Sequence, residues 1–458
     1  MPVPTRSTTA RRDERGAGKR RAERGTVSSR FHPPRAQSGR MRCDRPRRRV
    51  AAGASCILPR VPSPTRARVA LLVLGAGLLA GCGSSQADRP TGTRAKASST
   101  GASTAVAASK APPKKHRAKY RVPPLPDPHD VYAADRPGLF APAVRKFPPR
   151  VYVPNSESNT VSVINPKTYK VIDTFPVGGL PQHVVPSYDL KTLWVTNDEG
   201  NTLTPIDPAT GKPGKPVPVT DPYNLYFTAD GRYAIVVAER LERLDFRDAH
   251  TMRLHRSLSV PCPGVDHLDF TASGRYVVAS CEFGGGLIKV DVRHEKVVGS
   301  LQLPNGAMPQ DVKLSPDGRI FYVADMGVGG VWEIDARHFR KVGFIPTGAG
   351  AHGLYVSRDS RYLYVSNRSE GSVSVISFKK RKEVAKWRLP GGGSPDMGGV
   401  SPDGKVLWLS GRYDAEVYAI NTRTGNLIAR IPVGSGPHGL TVYPQPGRYS
   451  LGHTSGLR

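Results

Sequence analysis

The sequence lacks the short motifs that announce a reaction. It has no G-x-S-x-G nucleophile elbow, no H-E-x-x-H zinc-protease helix, no P-loop, no dinucleotide-binding fingerprint set between a strand and a helix, and no C-x-x-C-H haem attachment. Long hydrophobic runs are missing as well. The main apolar stretch, Val69 to Ala80, is too short for a membrane-spanning helix. Acidic residues are scarce, 37 against 67 basic ones, giving a formal net charge of +30. That excess lies in the flanks. Residues 1–68 carry 19 Lys/Arg and 4 Asp/Glu, residues 69–150 carry 13 and 4, and the rest of the chain carries 35 and 29. A nucleic-acid groove needs positive charge clustered on a folded face, so this distribution argues against a nucleic-acid partner.

What the chain does have is a repeat. Short β-rich runs begin at Val151, Thr192, Tyr233, Tyr276, Ile320, Tyr362 and Val406. Their starts are 41, 41, 43, 44, 42 and 44 residues apart. A period in the low forties filled with short strands predicts an all-β, seven-bladed propeller of four-stranded antiparallel blades. Residues 309–348 illustrate one unit. Val312–Leu314 alternates as an inner strand, and Pro316-Asp317-Gly318-Arg319 turns the chain. Ile320–Ala324 is apolar on both faces, Val331–Ile334 is the third strand, and Lys341–Ile345 the outer one. The four tryptophans, Trp194, Trp332, Trp387 and Trp408, fall in strands and read as blade core.

Ahead of the repeats stands an address. Arg66 and Arg68 precede the apolar run, which ends in Leu79-Ala80-Gly81-Cys82. This resembles a bacterial lipobox, with Cys82 lipidated and the protein held at the extracytoplasmic face of the cell membrane through that anchor alone. The expected organisation is a basic disordered extension (1–60), a lipoprotein signal peptide (61–82), a disordered tether (83–145), the propeller (146–446) and a tail (447–458). Residues 1–60 suit either a cytoplasmic extension or a translation start downstream, at Val61. Of the five cysteines, Cys43 and Cys56 lie in that extension and Cys82 takes lipid. Cys262 and Cys281 remain, and a bond between them suits an exported protein, the other reading being two separate small buried side chains.

The repeats resemble the YVTN β-propeller family, as in "YVPN", "TVSVINP", "LYVSN" and "IPVGSGPHGLTV". The likeness covers Val151 to about Tyr443 and is weakest in the third unit, where "ERLERLDF" replaces the usual loop. No inner strand precedes Val151, so the strand Gly439–Tyr443 is expected to complete the N-terminal blade and leave no free sheet edge. The residues after it mimic the start of another repeat, but the chain stops too soon for an eighth blade.

Inner strands begin, and second strands end, at one mouth of the central channel. Candidate ligand-binding residues there are His183, His267, Asp311, His352, Asp396, His438, Glu282, Asp325, Arg368 and Arg412. The His/Asp mix suits a divalent metal at His352, His438 and Asp396. Polar rings are also ordinary where propeller loops meet water. The first functional expectation is a monomeric binding module that takes a small-molecule ligand or a cell-envelope protein at this mouth. The family resemblance adds two alternatives. One is a metal-dependent hydrolase of lactonase type. The other is a haem-linked redox protein with His352 or His438 as ligand, against which the missing attachment motif counts.

Overall fold

The computed structural model describes residues 121–453 and 456–458, all within one unit, Ala105–Arg458. Strands follow one another by hairpins, and each group of four closes a blade. The turn joining first and second strands shows how the sequence enforces this. The Ser315 hydroxyl donates to Asp317 (2.6 Å) and accepts from the backbone N–H of Ile320 (2.9 Å), while Gly318 takes a left-handed φ of 71°. Apolar second and third strands are buried on both faces, and their side chains pack between neighbouring blades. Burying one such Phe or Leu contributes about 1.5–3 kcal/mol. Outer strands are mostly exposed and polar.

The closure expected from the sequence is present. Thr441–Tyr443 pairs with Arg150–Tyr152, so the last strand is the inner strand of blade one. The third unit, where the family pattern fades, is a regular blade, because Arg243–Asp248 still alternates and pairs on both sides. Blade two is less regular. Its outer strand is split into Lys212–Pro213 and Val217–Pro218, since prolines remove ladder donors there. Cys262 and Cys281 are disulfide-bonded, with Cα atoms 4.9 Å apart.

One expected boundary needs correction. The last part of the supposed tether, from Asp130, is anchored on the propeller. Val131, Tyr132 and Val144 are buried, and Tyr132 Oη donates to the Leu314 carbonyl (2.8 Å). These apolar anchors set the segment apart from the Ser/Ala/Lys-rich residues before it. Residues 1–120, including Cys82 and the lipobox, lie outside the described residues. The C-terminal tail is also packed rather than trailing. Its backbone runs antiparallel to the inner strand of blade three, with Leu451 accepting from Phe227 N–H (2.9 Å) and Gly452 bridging Tyr226. Tyr449 and Leu451 are buried and drive this insertion. Among the described residues no helix is long and apolar enough to cross a membrane.

Candidate metal centre

A local irregularity builds the site. In five blades the register of the inner strand shifts just past its first residue, between Pro181 and Val184, Val265 and Leu268, Pro309 and Val312, Ala351 and Leu354, and Pro395 and Gly398. A bulge breaks the strict alternation of a strand, so that two consecutive residues can serve the same face. Each of these five strands thereby offers the channel two consecutive residues. His352 and Asp396 come from the inner strands of blades six and seven, and His438 from just before the inner strand of blade one. Blades two and four supply His183 and His267, with Asn224 of blade three hydrogen-bonded to His267.

The imidazoles meet. The His183 ring lies 4.9 Å from that of His438 and 5.5 Å from that of His267, and His352 lies 6.0 Å from His438. A Cβ at residue 439 would run into the His183 ring, so Gly439 is required there. Asp396 Oδ1 is 3.0 Å from His352 Nδ1 and 3.3 Å from Arg368 Nη1, and its Oδ2 is 3.6 Å from His438 Nε2. His352, Asp396 and His438 each place one donor atom within 4.8 Å of the others. His183, His267 and His453 do the same.

Burial sets the protonation. It lowers His183 to about 4 and holds His267, His352, His438 and His453 well below the ordinary imidazole value, leaving neutral rings with lone pairs. The carboxyls move the other way. Burial, with Glu282 and Glu239 nearby, raises Asp266 well above the usual range, and burial raises Glu239 to about 8. Burial also raises Glu282 and Asp396, against the opposing pull of Arg368. Several of these groups have no hydrogen-bond partner: Nε2 of His183, His267 and His453, Nδ1 of His438, Oδ2 of Asp396 and both oxygens of Asp266. Orphaned buried polar atoms are costly, and so many on one axis point to a missing partner.

Not every sequence candidate belongs to the centre. Asp325 does not. Its carboxylate accepts from the backbone N–H groups of Met308 (2.8 Å) and Gly327 (3.0 Å) and from Trp332 Nε1 (2.7 Å). It ends a second strand in the same place as Asn155, Asn197 and Asn367, whose amides bridge two hydroxyls of the third strand. That position points into the blade. The following residue faces the mouth, which is where Glu239, Glu282, Arg368 and Arg412 stand. Arg412 reaches Ser156 Oγ (3.0 Å) from there. Asp311 is largely committed to structure, accepting from Val312 N–H and from Leu354 N–H of the next blade, both at 2.9 Å. Burial raises it to about 6.

Sequence reasoning missed His453. It reaches the centre on the inserted tail, with its ring 4.7 Å from His267 and 4.9 Å from His183. The signal was there in "LGH", an echo of the "PHG" that opens inner strands. A surface recess of about 480 Å³ lies elsewhere, at the split outer strand of blade two, and no histidine lines it.

Known proteins place this architecture. The chain is similar in structure to hydrazine synthase of Kuenenia stuttgartiensis (18% identity, TM-score 0.53, covering 64% of this chain and 97% of that one). It is similar to a putative 6-phosphogluconolactonase from Bacteroides uniformis (16%, 0.53, 64% and 99%). It is also similar to the dihydro-heme d1 dehydrogenase NirN (17%, 0.50, 67% and 76%). Such identities speak for the fold alone. No curated protein matches the chain. Residues 141–447 match a family described as YNCE-like beta-propeller, and with its seven four-stranded blades the chain belongs to that family.

Proposed function

We propose that the protein is a lipid-anchored, extracytoplasmic propeller whose channel binds a late first-row divalent metal ion through His352, Asp396 and His438. The observation that carries this reading is the convergence of His352, Asp396 and His438, one donor atom of each within 4.8 Å of the others, with both imidazoles held neutral by burial and with His438 Nδ1 and Asp396 Oδ2 lacking hydrogen-bond partners. Imidazole with carboxylate suits Zn²⁺ or Cu²⁺. The missing C-x-x-C-H motif counts against a covalently attached haem. The lipobox ending at Cys82 and the disulfide between Cys262 and Cys281 motivate the location outside the cytoplasm.

The test is elemental analysis of the full-length protein isolated from an exporting host. The reading requires bound Zn or Cu that chelation removes, and a stability loss on removal of about 4 kcal/mol at a thousandfold excess of metal over Kd. Protein that neither carries nor takes up these metals contradicts it. Cys82→Ala should move the protein from the membrane to the soluble fraction.

A second reading, metal-dependent hydrolysis, draws on Asp266 and the arginines. Asp266 lies 3.3 Å from His267 Nε2, and burial with Glu282 and Glu239 nearby keeps its carboxyl protonated, placed to donate a proton to a leaving group. Arg368 and Arg412 at the mouth suit an anionic substrate. A bound metal would supply Lewis acidity. Turnover of lactone or ester substrates by metal-loaded protein, lost in Asp266→Asn, would favour this reading over simple binding.

A further inference from the structure

We infer that the channel holds a second metal site, formed by His183, His267 and His453, and that the chain completes it by threading its own C-terminus into the propeller. The inference rests on the reading that the channel binds metal, and it goes further by assigning three other residues, one of them outside the repeats.

The geometry is specific. One donor atom from each of the three histidines lies within 4.8 Å of the other two, and Nε2 of every one is buried without a hydrogen-bond partner. His183 has its tautomer fixed. Its Nδ1 lies 3.0 Å from the Tyr223 backbone carbonyl, which only accepts, so Nδ1 carries the proton and Nε2 presents a bare lone pair. A backbone carbonyl bonded to one ring nitrogen in this way aims the other toward a metal. Asn224 Nδ2 stands between the Nδ1 atoms of His267 (3.0 Å) and His453 (3.2 Å), and its Oδ1 accepts from Leu225 N–H (2.8 Å). Ligation through Nε2 requires this amide to turn over, so that its oxygen accepts from both Nδ1–H groups. Three neutral imidazoles suit Zn²⁺ or Cu²⁺.

Carboxyl groups border the site: Asp266 Oδ1 lies 3.3 Å from His267 Nε2 and Asp311 Oδ1 3.9 Å from His453 Nε2. The tail has no other evident reason to carry a histidine to the axis. It enters along blade three, from Ser450 beside Tyr188 to His453 beside Leu225, and Leu457 returns to bridge Ser450. Arg458 is buried over the Tyr132 ring and 3.4 Å from Asp269 Oδ1, which latches the end of the chain. The two sites adjoin, since the His183 and His438 rings are 4.9 Å apart.

The experiment is a Zn²⁺ titration of chelator-stripped full-length protein, with bound metal counted after desalting. Wild type should hold two equivalents, His453→Ala one and His438→Ala one, each variant keeping the wild-type circular dichroism spectrum. One equivalent in wild type, lost with His438 but indifferent to His453, would overturn the second site and leave the first standing. No zinc in wild type would overturn both. An independent reading needs no variant. In wild-type protein Zn²⁺ should slow hydrogen exchange of residues 449–453 by more than tenfold, and unchanged exchange would overturn the role of the tail.

Discussion

The two ends of the inner strands are built from the same repeat and treated oppositely. At the turn end, five blades use one device, a Ser or Thr hydroxyl donating to an Asp two residues on: Ser187, Thr228, Ser315, Ser357 and Ser401, at 2.6–2.7 Å. Blade four varies it with Thr271 and Ser273 (3.3 Å). Here the Ser or Thr hydroxyl and the carboxylate satisfy each other, and the same residue types recur. At the mouth end the residue pairs vary, from Gln182-His183 to Asp396-Met397, and Nε2 of His183 and His267, Nδ1 of His438, Oδ2 of Asp396 and both oxygens of Asp266 are left without partners. A scaffold that satisfies its polar groups so uniformly at one end does not leave them orphaned at the other through poor packing. The difference marks a site.

Blade six allows the sharpest test, because His352 and Ser357 flank the two ends of one strand, Ala351–Val356. His352→Ala with His438→Ala should weaken Zn²⁺ binding by at least about 100-fold, measured by calorimetry, with little change in the melting of the stripped protein. If the zinc equivalent assigned to His352, Asp396 and His438 survived at wild-type affinity, the two ends would not differ in function.

The next effect is one of pH. A histidine whose folded pKa lies below its unfolded value binds more protons when unfolded. Its stability contribution is therefore complete above about 6.5 and is lost as pH falls toward the folded value. For His183, lowered from 6.5 to about 4, this amounts to about 3 kcal/mol across that window. The raised carboxyls Glu239, Asp266, Asp311 and Asp396 act with the opposite sign over the same window, so the histidine part is read from the rings themselves: in an NMR titration of stripped protein the His183 imidazole should stay neutral until pH falls to about 4. A ring that titrates near 6.5 would contradict this.

Asp325 sharpens the comparison from within the mouth face. Asp325→Ala should cost about 1–3 kcal/mol in urea unfolding, because it orphans backbone donors and Trp332 Nε1, and should leave zinc affinity unchanged. The smallest effect belongs to Ser357→Ala, about 1 kcal/mol of stability with metal binding intact.

Most of the scaffold was legible in the sequence because its determinants are local. Strand runs such as Ile320–Asp325, turns such as Asp317-Gly318 and the surplus strand at Thr441 lie within one repeat or at its ends. The site was partly legible for the same reason, since the pair at each inner-strand start recurs with the period. What was not legible depends on which way a side chain leaves the backbone, or on contacts distant in sequence. Asp325 and Asn155 differ from the channel-facing Met326 and Ser156 by one residue, and one residue reverses the face. Tyr132 and His453 are placed by contacts with Leu314 and His267, 182 and 186 residues away, which no window along the chain reports.

The most direct measurement is anomalous X-ray diffraction, at the zinc and copper edges, from crystals of the full-length protein as isolated. The account predicts a peak on the channel axis bonded to His352, Asp396 and His438, with metal–nitrogen distances of about 2.0–2.1 Å. A channel filled only by water molecules hydrogen-bonded to those nitrogens would contradict it.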